Sequence, residues 1–281
     1  MAINGRIYKT YFINVLRRNL SMYDIHSHVL PGIDDGAVDI EASIEICRAA
    51  FEEGITTIVA TPHYISGESE IEKSKLLTYI SLINQELKTE DIDLLVLPGM
   101  EIYITPNLYE LYQQGKIITL NCKNYMLIEL PLYNSLPAYL YNVIFNLEIK
   151  GIKPVIAHPE RCKAVIDHPS IVNSLIDKKC IIQVNSGSIE GLYGKDAQRT
   201  ANYLLENNMV HVIASDCHSI KGRKSLLKDS YNIVAKKYGA RVAQDLFVAN
   251  AYRIISGESI VDSEPVEVRK KKMFGLFRAG V

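Results

Sequence analysis

The feature that most constrains this fold is a series of seven short apolar segments, each of which ends in polar residues. They are rich in β-branched residues and recur at intervals of roughly thirty residues, which favours parallel βα units. The stretches between them have helical spacing, as in DIEASIEICRAAFEEG, where Ile40, Ile44 and Cys47 share one side. The segments span residues 23–28, 56–63, 94–102, 126–131, 153–161, 180–188 and 210–218.

The ends of these segments distinguish between two architectures. Continuous apolar strands are buried on both faces, as in a barrel or a doubly wound sheet. Here histidines and carboxylates occupy the C-terminal ends of nearly all the segments. Such side chains converge only if the strands close around them. We therefore predict an α/β fold with a barrel-like closure of about seven strands, in one domain at residues 23–260, between an N-terminal extension (1–22) and a C-terminal tail (261–281).

Composition excludes several classes of protein. The chain has 281 residues, 48% of them hydrophobic, and a net charge of −1, so no global field favours nucleic acid or an anionic membrane. Five cysteines without a C-x-x-C pair do not form a disulfide framework. There is no signal-peptide pattern and no run of eighteen apolar residues. We expect a cytoplasmic protein that does not bind nucleic acid.

The first segment and the turn behind it, DIHSHVLPGIDDG, contain the first candidate metal ligands. His26 and His28 point the same way because a strand alternates faces with period two, so they could bind one ion together. Alone, the pair favours the other interpretation, in which two polar residues cap the end of a strand. Asp35 in the following turn is a further candidate, whereas Asp34 is interpreted as a turn residue that caps the next helix.

Later segment ends extend this candidate set. Glu101 and Glu129 lie among apolar neighbours, where a carboxylate is costly to bury unless it meets a cation. Strand alternation would place Asp216 and His218 on one face and Cys217 on the other. Mixed nitrogen and oxygen ligands suit zinc, manganese or iron, and their number exceeds what one ion takes, so we predict two or three clustered divalent ions. The candidates from the later segments are His63, Glu101, Glu129, His158, Asp216 and His218.

Clustered divalent ions are typical of enzymes that hydrolyse phosphate esters. Arg161 and Arg223 follow two of the candidate ligands and could bind the outer phosphate oxygens by bidentate contacts. Cys217 and Arg223 also form C-x5-R, the signature of cysteine-dependent tyrosine phosphatases. The loop between them, HSIKG, has a single glycine, and such short matches arise often by chance. We predict that Cys217 is dispensable.

Six motifs together resemble the PHP (polymerase and histidinol phosphatase) superfamily: DIHSHVLPGIDDG, ATPHY, LPGMEI, LIELP, IAHPER and ASDCHS. More closely, they resemble the bacterial manganese-dependent protein-tyrosine phosphatases encoded with capsular and exopolysaccharide genes. The resemblance runs from about Tyr23 to about Gly257. It implies a distorted seven-stranded (β/α) barrel with a trinuclear centre at the C-terminal ends of the strands, usually holding manganese, with iron or zinc as alternatives. The implied ligands are His26, His28, Asp35, His63, Glu101, Glu129, His158, Asp216 and His218, and the implied phosphate-binding residues are Arg161 and Arg223.

The resemblance also implies a substrate. In that family it is a tyrosine-phosphorylated bacterial tyrosine kinase that controls polysaccharide synthesis. Two other hypotheses remain open at this stage. One is a small-molecule phosphatase of the same superfamily, acting on a compound such as histidinol phosphate, and the other is a non-enzymatic regulatory PHP domain.

The C-terminal stretch VRKKKMFGLFRAGV places basic residues beside Met273, Phe274 and Phe277. Basic residues can meet anionic lipids while aromatic residues enter the interface. From this pattern we expect a weak contact of the tail with the inner face of the membrane, although a solvated tail has the same composition.

Overall fold

The computed structural model describes residues 21–133, 135–220 and 226–260. Short strands alternate with helices along these residues. The strands are Met22–Ser27 (β1), Ile55–Ala60 (β2), His63–Tyr64 (β3), Leu95–Pro98 (β4), Glu101–Tyr103 (β5), Tyr125–Glu129 (β6), Lys153–Ala157 (β7), Ile181–Asn185 (β8) and Val212–Ala214 (β9). The α-helices are Ile40–Glu53 (α1), Lys73–Thr89 (α2), Leu108–Gln113 (α3), Leu140–Glu148 (α4), Lys163–Asp167 (α5), Ile171–Ile176 (α6), Ser186–Glu190 (α7), Lys195–Glu206 (α8), Lys228–Tyr238 (α9), Ala240–Gln244 (α10) and Asn250–Ser256 (α11). Two 3-10 turns lie at Leu120–Cys122 and Pro159–Arg161, and a π turn lies at Asp245–Ala249.

The strands form two parallel sheets, one in the order β1-β2-β4 and one in the order β3-β5-β6-β7-β8-β9. The α/β class with parallel strands is thus confirmed, whereas the expected single barrel of seven strands stays a prediction. Two of the predicted segments are each split into two strands. The first break includes Pro62, which has no N–H for the ladder. The second lies at Gly99, where a Cβ would come within 2.7 Å of Val59 Cγ1.

Backbone hydrogen bonds join the two sheets at the end where the polar residues lie. Asp216 N donates to His26 O at 2.9 Å, and His28 N donates to Cys217 O at 2.9 Å. On the other side, Glu101 N donates to Pro62 O at 3.1 Å. These bonds place the end of β1 beside the segment after β9, so residues from the two ends of the described fold meet in space.

Apolar side chains cover both faces of the strands, as predicted for a parallel sheet. One face packs against the helices in the larger core. The other face carries a smaller cluster that includes Val59, Leu127 and Val155, together with Ile254 of α11. On this second face, polar residues replace apolar ones toward the C-terminal ends of the strands. On β8, for example, Ile181 is followed by Gln183 and Asn185.

Helix α1 forms as its spacing predicts. Asp39 caps its N-terminus by accepting a hydrogen bond from Ala42 N at 2.8 Å. Ile44 and Cys47 are buried, and Gly54 ends the helix in the left-handed conformation at φ 97°. The helix therefore packs against β2 and α2 without contributing to the polar cluster.

Several expectations fall on parts of the chain that the structure does not describe. Arg223 is one of them, as are the C-terminal tail and almost all of the N-terminal extension, so the predicted membrane contact lies outside the described residues. Within the described ranges, no helix is both long enough and apolar enough to cross a bilayer.

Candidate metal centre

The nine predicted ligands lie together in three overlapping groups. Within each group, one nitrogen or oxygen atom from every residue lies within 4.8 Å of the others. His63 and Glu101 each belong to two groups, so the groups adjoin one another. The groups are His28, Asp35, His63 and His218; His26, Glu101, His158 and Asp216; and His63, Glu101 and Glu129.

Strand β1 and the residue directly after it supply two imidazoles to this cluster. The Nε2 atoms of His26 and His28 lie 3.3 Å apart. Each also lies 3.3 Å from Glu101 Oε2 and 3.3 Å from Asp216 Oδ1. All four side chains are buried. Two ring nitrogens and two carboxylate oxygens therefore face one small volume.

Buried polar atoms in this volume test whether a cation fits. Among the described residues, Glu101 Oε2 has no hydrogen-bond partner, although three imidazole nitrogens lie within 3.3 Å of it. His63 Nδ1 and His158 Nδ1 also lack a hydrogen-bond partner there. Unpaired buried polar atoms are costly, and bound cations would satisfy them. Their mixed nitrogen and oxygen character fits manganese, iron or zinc.

The pKa shifts in the cluster also indicate that positive charge is stabilised there. Burial opposes the charged form of His26, but the carboxylates of Glu101 and Asp216 outweigh it and raise its pKa to about 9. The pKa of His28 is likewise raised against the effect of burial, by Asp216 and its neighbours. Burial and the nearby charge of Glu101 raise the pKa of Glu129. Without bound metal, the negative charge of the carboxylates thus favours protonated imidazoles. Bound divalent ions would supply that positive charge instead.

The two aspartates in the turn after β1, Asp34 and Asp35, make different contacts. Asp34 accepts hydrogen bonds from His63 N and Gly36 N, each at 3.0 Å, and its Oδ2 lies 2.8 Å from His28 Nδ1. The prediction that Asp34 caps the next helix is wrong, because Asp39 is the residue that does so. Asp34 instead orients an imidazole, a role that sequence reasoning missed.

Asp35 lies at the mouth of the cluster, with 70% of its side chain exposed. Its Oδ1 is 3.3 Å from His218 Nε2 and 3.5 Å from His63 Nε2. The contact with His218 lowers the pKa of Asp35 to about 2. Asp35 therefore carries its charge at neutral pH and faces the same volume as the two imidazoles.

Two candidate ligands have unusual backbone conformations. His158 has φ 29° and Asp216 has φ 54°, in the left-handed region that side chains other than glycine rarely adopt. The predicted strand alternation from Asp216 to His218 is wrong, because β9 ends at Ala214. The left-handed turn instead leaves Asp216 Oδ1 3.6 Å from His218 Nδ1. Backbone strain of this kind persists where surrounding contacts hold it in place.

The second oxygen of Asp216 faces away from the imidazoles. Arg161 Nη1 and Asn185 Nδ2 each donate a hydrogen bond to Asp216 Oδ2 at 2.6 Å. The Arg161 guanidinium also lies over the ring of Tyr193, with its Cζ 4.4 Å from the ring centroid. About a quarter of the Arg161 side chain stays exposed, so the group is fixed in direction and still reachable. Tyr193 carries no sequence signal that marks it.

Comparison with known proteins identifies the relatives of this chain. Residues 22–256 match the family model described as capsular polysaccharide synthesis, CpsB/CapC. The chain belongs to the CpsB/CapC family. CpsB/CapC relatives include the tyrosine-protein phosphatase YwqE of Bacillus subtilis, which is 36% identical over 256 residues, 91% of this chain and 100% of the relative. The tyrosine-protein phosphatase CpsB of Streptococcus pneumoniae is 36% identical over 244 residues, 85% of this chain and 100% of the relative.

Solved structures agree with this membership. The crystal structures of YwqE and CpsB, described as unique metal-dependent tyrosine phosphatases, include a chain with a TM-score of 0.81 and 36% identity, covering 85% of this chain and 96% of that one. The resemblance drawn from the six motifs is therefore confirmed. A lactonase from Listeria monocytogenes has a TM-score of 0.55 at 13% identity, which shows a shared fold only.

In this member of the CpsB/CapC family, the cysteine of the C-x5-R match is buried. Cys217 is 3% exposed, and burial raises the pKa of its thiol to about 12. At neutral pH the sulfur therefore keeps its proton, whereas a nucleophilic cysteine must act as the thiolate. Its Sγ lies 3.8 Å from the carbonyl oxygen of Ser219 and is not among the ligand atoms of the three groups.

Proposed function

We propose that this chain is a metal-dependent protein-tyrosine phosphatase whose cluster holds two or three divalent ions, with manganese first and iron or zinc as alternatives. The observation that carries the proposal is the convergence of nine residues, which offer nitrogen or oxygen ligand atoms, in three adjoining groups. The names of the relatives support the activity. The proposed ligands are His26, His28, Asp35, His63, Glu101, Glu129, His158, Asp216 and His218.

In this proposal, some side chains bind the metal ions and others bind the phosphate group. When bound, clustered divalent ions polarise a phosphoryl group and activate water. Arg161 keeps one N–H on Asp216 and can direct others at phosphate oxygens, where a planar guanidinium binds in a bidentate manner. Tyr193 holds the guanidinium plane from one side. Arg223 is proposed as a second phosphate-binding residue, on the basis of the sequence alone.

The proposed substrate is phosphotyrosine on a bacterial tyrosine kinase of capsular or exopolysaccharide synthesis. Support comes from the description of the family and from the names of its phosphatases. Turnover of a phosphotyrosine peptide by the manganese-loaded protein should exceed turnover of histidinol phosphate. A preference for histidinol phosphate would favour the small-molecule hypothesis, and failure to hydrolyse either would favour a regulatory domain.

For the fold, we propose that the two sheets act as one interrupted barrel of seven strands. In this proposal β2 continues into β3 and β4 continues into β5, each across a break of two residues. The hydrogen bonds between β1 and residues 216–217 support closure on one side, and the bond from Glu101 N to Pro62 O supports continuity on the other.

For location, we propose the cytoplasm, with residues 261–281 in contact with the inner face of the membrane. The basic and aromatic composition of that stretch supports the contact. Sedimentation with anionic vesicles should fall when the chain ends at residue 266. Equal sedimentation of the full-length and the shortened protein would contradict the proposed membrane contact.

A further inference from the structure

Strand β8 supplies none of the proposed metal ligands, yet its polar side chains enter the site. Gln183 and Asn185 are two residues apart and therefore share a face of the strand. Both are fully buried. Two buried amides are costly unless their groups are paired, so apolar residues would serve better if packing were their role.

A chain of three hydrogen bonds links these amides to ligands from opposite ends of the described fold. His26 Nδ1 lies 2.9 Å from Gln183 Oε1. Gln183 Nε2 donates to Asn185 Oδ1 at 2.8 Å. Asn185 Nδ2 donates to Asp216 Oδ2 at 2.6 Å. These three bonds therefore connect an imidazole near the end of β1 with a carboxylate after β9.

The carboxylate at one end fixes the direction of every bond in this chain. An ionised Asp216 can only accept, so Asn185 must present its NH₂ there and its oxygen to Gln183. Gln183 must then donate to that oxygen, and its own oxygen faces His26. The remaining partner, His26 Nδ1, must carry a proton. The opposite orientation of either amide would bring two acceptors together.

Glu160 holds Asn185 in place. Its Oε1 accepts hydrogen bonds from Asn185 N at 3.0 Å and from Ser188 Oγ at 2.6 Å. Glu160 and Ser188 are fully buried. The end of β8 and the start of α7 are thereby fixed to one carboxylate, which leaves the Asn185 side chain little freedom to turn away from Asp216.

We propose that Gln183 and Asn185 are positioning residues for the metal centre. They keep His26 as the Nδ1–H tautomer, so that the Nε2 lone pair faces the cation volume. Asn185, together with Arg161, also occupies Asp216 Oδ2, so that Oδ1 is the atom left to face the imidazoles. Ligand imidazoles in metal sites are commonly oriented by a partner on their other nitrogen. This inference rests on the proposed metal centre.

Two variants of Gln183 test the proposal. Gln183→Met removes the acceptor at similar volume and should weaken Mn²⁺ binding, measured by competition with a chelator, by about 10–100-fold. Gln183→Glu keeps an oxygen for His26 but has no donor for Asn185, so it tests only the His26 end of the hydrogen-bond chain, through the imidazole proton. Gln198→Met is the matched control, because Gln198 Nε2 donates to Ile189 O outside the cluster.

A spectroscopic readout separates positioning from general stability. In the Zn²⁺-loaded, ¹⁵N-labelled protein, the His26 Nδ1–H should exchange slowly with solvent. One slowly exchanging imidazole proton should disappear in Gln183→Met and persist in Gln183→Glu and Gln198→Met. If Gln183→Met does not fold, the Gln183→Glu protein carries the test, since it must keep that proton.

The outcomes also distinguish this inference from the proposed function. If the wild-type protein binds no divalent ion, the metal centre itself is wrong. If it binds ions and Gln183→Met binds them equally well, only the positioning role is overturned. Retention of every slow imidazole proton in Gln183→Met would overturn it as well.

Discussion

Arg161 is the proposed phosphate-binding residue among the described residues of the site. Its guanidinium is fixed by Asp216 and Tyr193 and remains partly exposed. Arg161→Lys should lower kcat/KM for a phosphotyrosine peptide by about 10²-fold, because an ammonium cannot replace bidentate phosphate contacts. Steady-state kinetics measure this. Arg199→Lys, on the surface beside Asp196, is the control and should be neutral. An unchanged kcat/KM in Arg161→Lys would exclude the phosphate role.

Substitution of Cys217, unlike substitution of Arg161, is expected to leave turnover largely intact. Because burial raises the pKa of its thiol to about 12, the thiolate is strongly disfavoured at neutral pH. Cys217→Ser should therefore keep most phosphotyrosine turnover, whereas loss of a true nucleophile costs on the order of 10⁶-fold in a serine protease. Turnover is compared at equal metal content. A collapse of activity at unchanged metal content would restore the cysteine mechanism.

Single residues also show what sequence could and could not reveal. Candidate ligands such as Glu101 were visible because a carboxylate among apolar neighbours needs a reason to be there. Asp34, Gln183 and Tyr193 were not assigned their roles, because each acts through another side chain and has no spacing of its own. The left-handed turn at Asp216 was missed as well, since no glycine marks it.

Among the elements, helix α1 depends on its cap. Asp39 accepts a hydrogen bond from Ala42 N, which otherwise has no partner within the helix. Asp39→Ala should lower the free energy of unfolding by about 1 kcal/mol. Urea unfolding measures this, with Asp93→Ala in an exposed turn as the control. Equal losses in the two variants would show that the cap contributes nothing specific.

Helix α7 contains a group that couples stability to pH. Burial and the nearby charges of Asp229 and Glu53 raise the pKa of Glu190 from 4.5 to about 7. The folded state therefore holds a proton that the unfolded state has released between these values. Glu190 should thus make stability fall as pH rises from about 4.5 to about 7. Glu190→Gln should raise Tm at pH 8 by a few degrees and leave Tm near pH 4 almost unchanged.

Thermal unfolding across that pH range decides the Glu190 prediction. Glu206→Gln is the control, because Glu206 lies on the surface beside Lys237. A wild-type Tm that depends on pH in the same way as the Glu190→Gln Tm would contradict the assignment.

At the element level, the seven predicted segments correspond to nine strands. The apolar runs located them because burial on both faces leaves a strong signal. Their interruptions depend on tertiary contact, as at Gly99, whose missing side chain makes room for Val59. Pro62 could be recognised as the end of a strand, but the two residues of β3 beyond it could not.

For the whole molecule, the position of the site follows from the topology. Parallel strands bring their C-terminal ends to one side, so candidate ligands from distant parts of the chain converge there. Sequence predicted this convergence without fixing the distances. It could not predict the hydrogen bonds between β1 and residues 216–217, because such closure depends on the packing of every intervening unit.

Phosphotyrosine-peptide turnover before and after metal removal tests the central claim most directly. One preparation is assayed as purified, after exhaustive chelation, and after Mn²⁺ is returned, with bound metal determined in each state. The account predicts two or three ions per chain, activity abolished with the metal and restored with it, and the same response in Cys217→Ser. Full activity in the metal-free protein would contradict it.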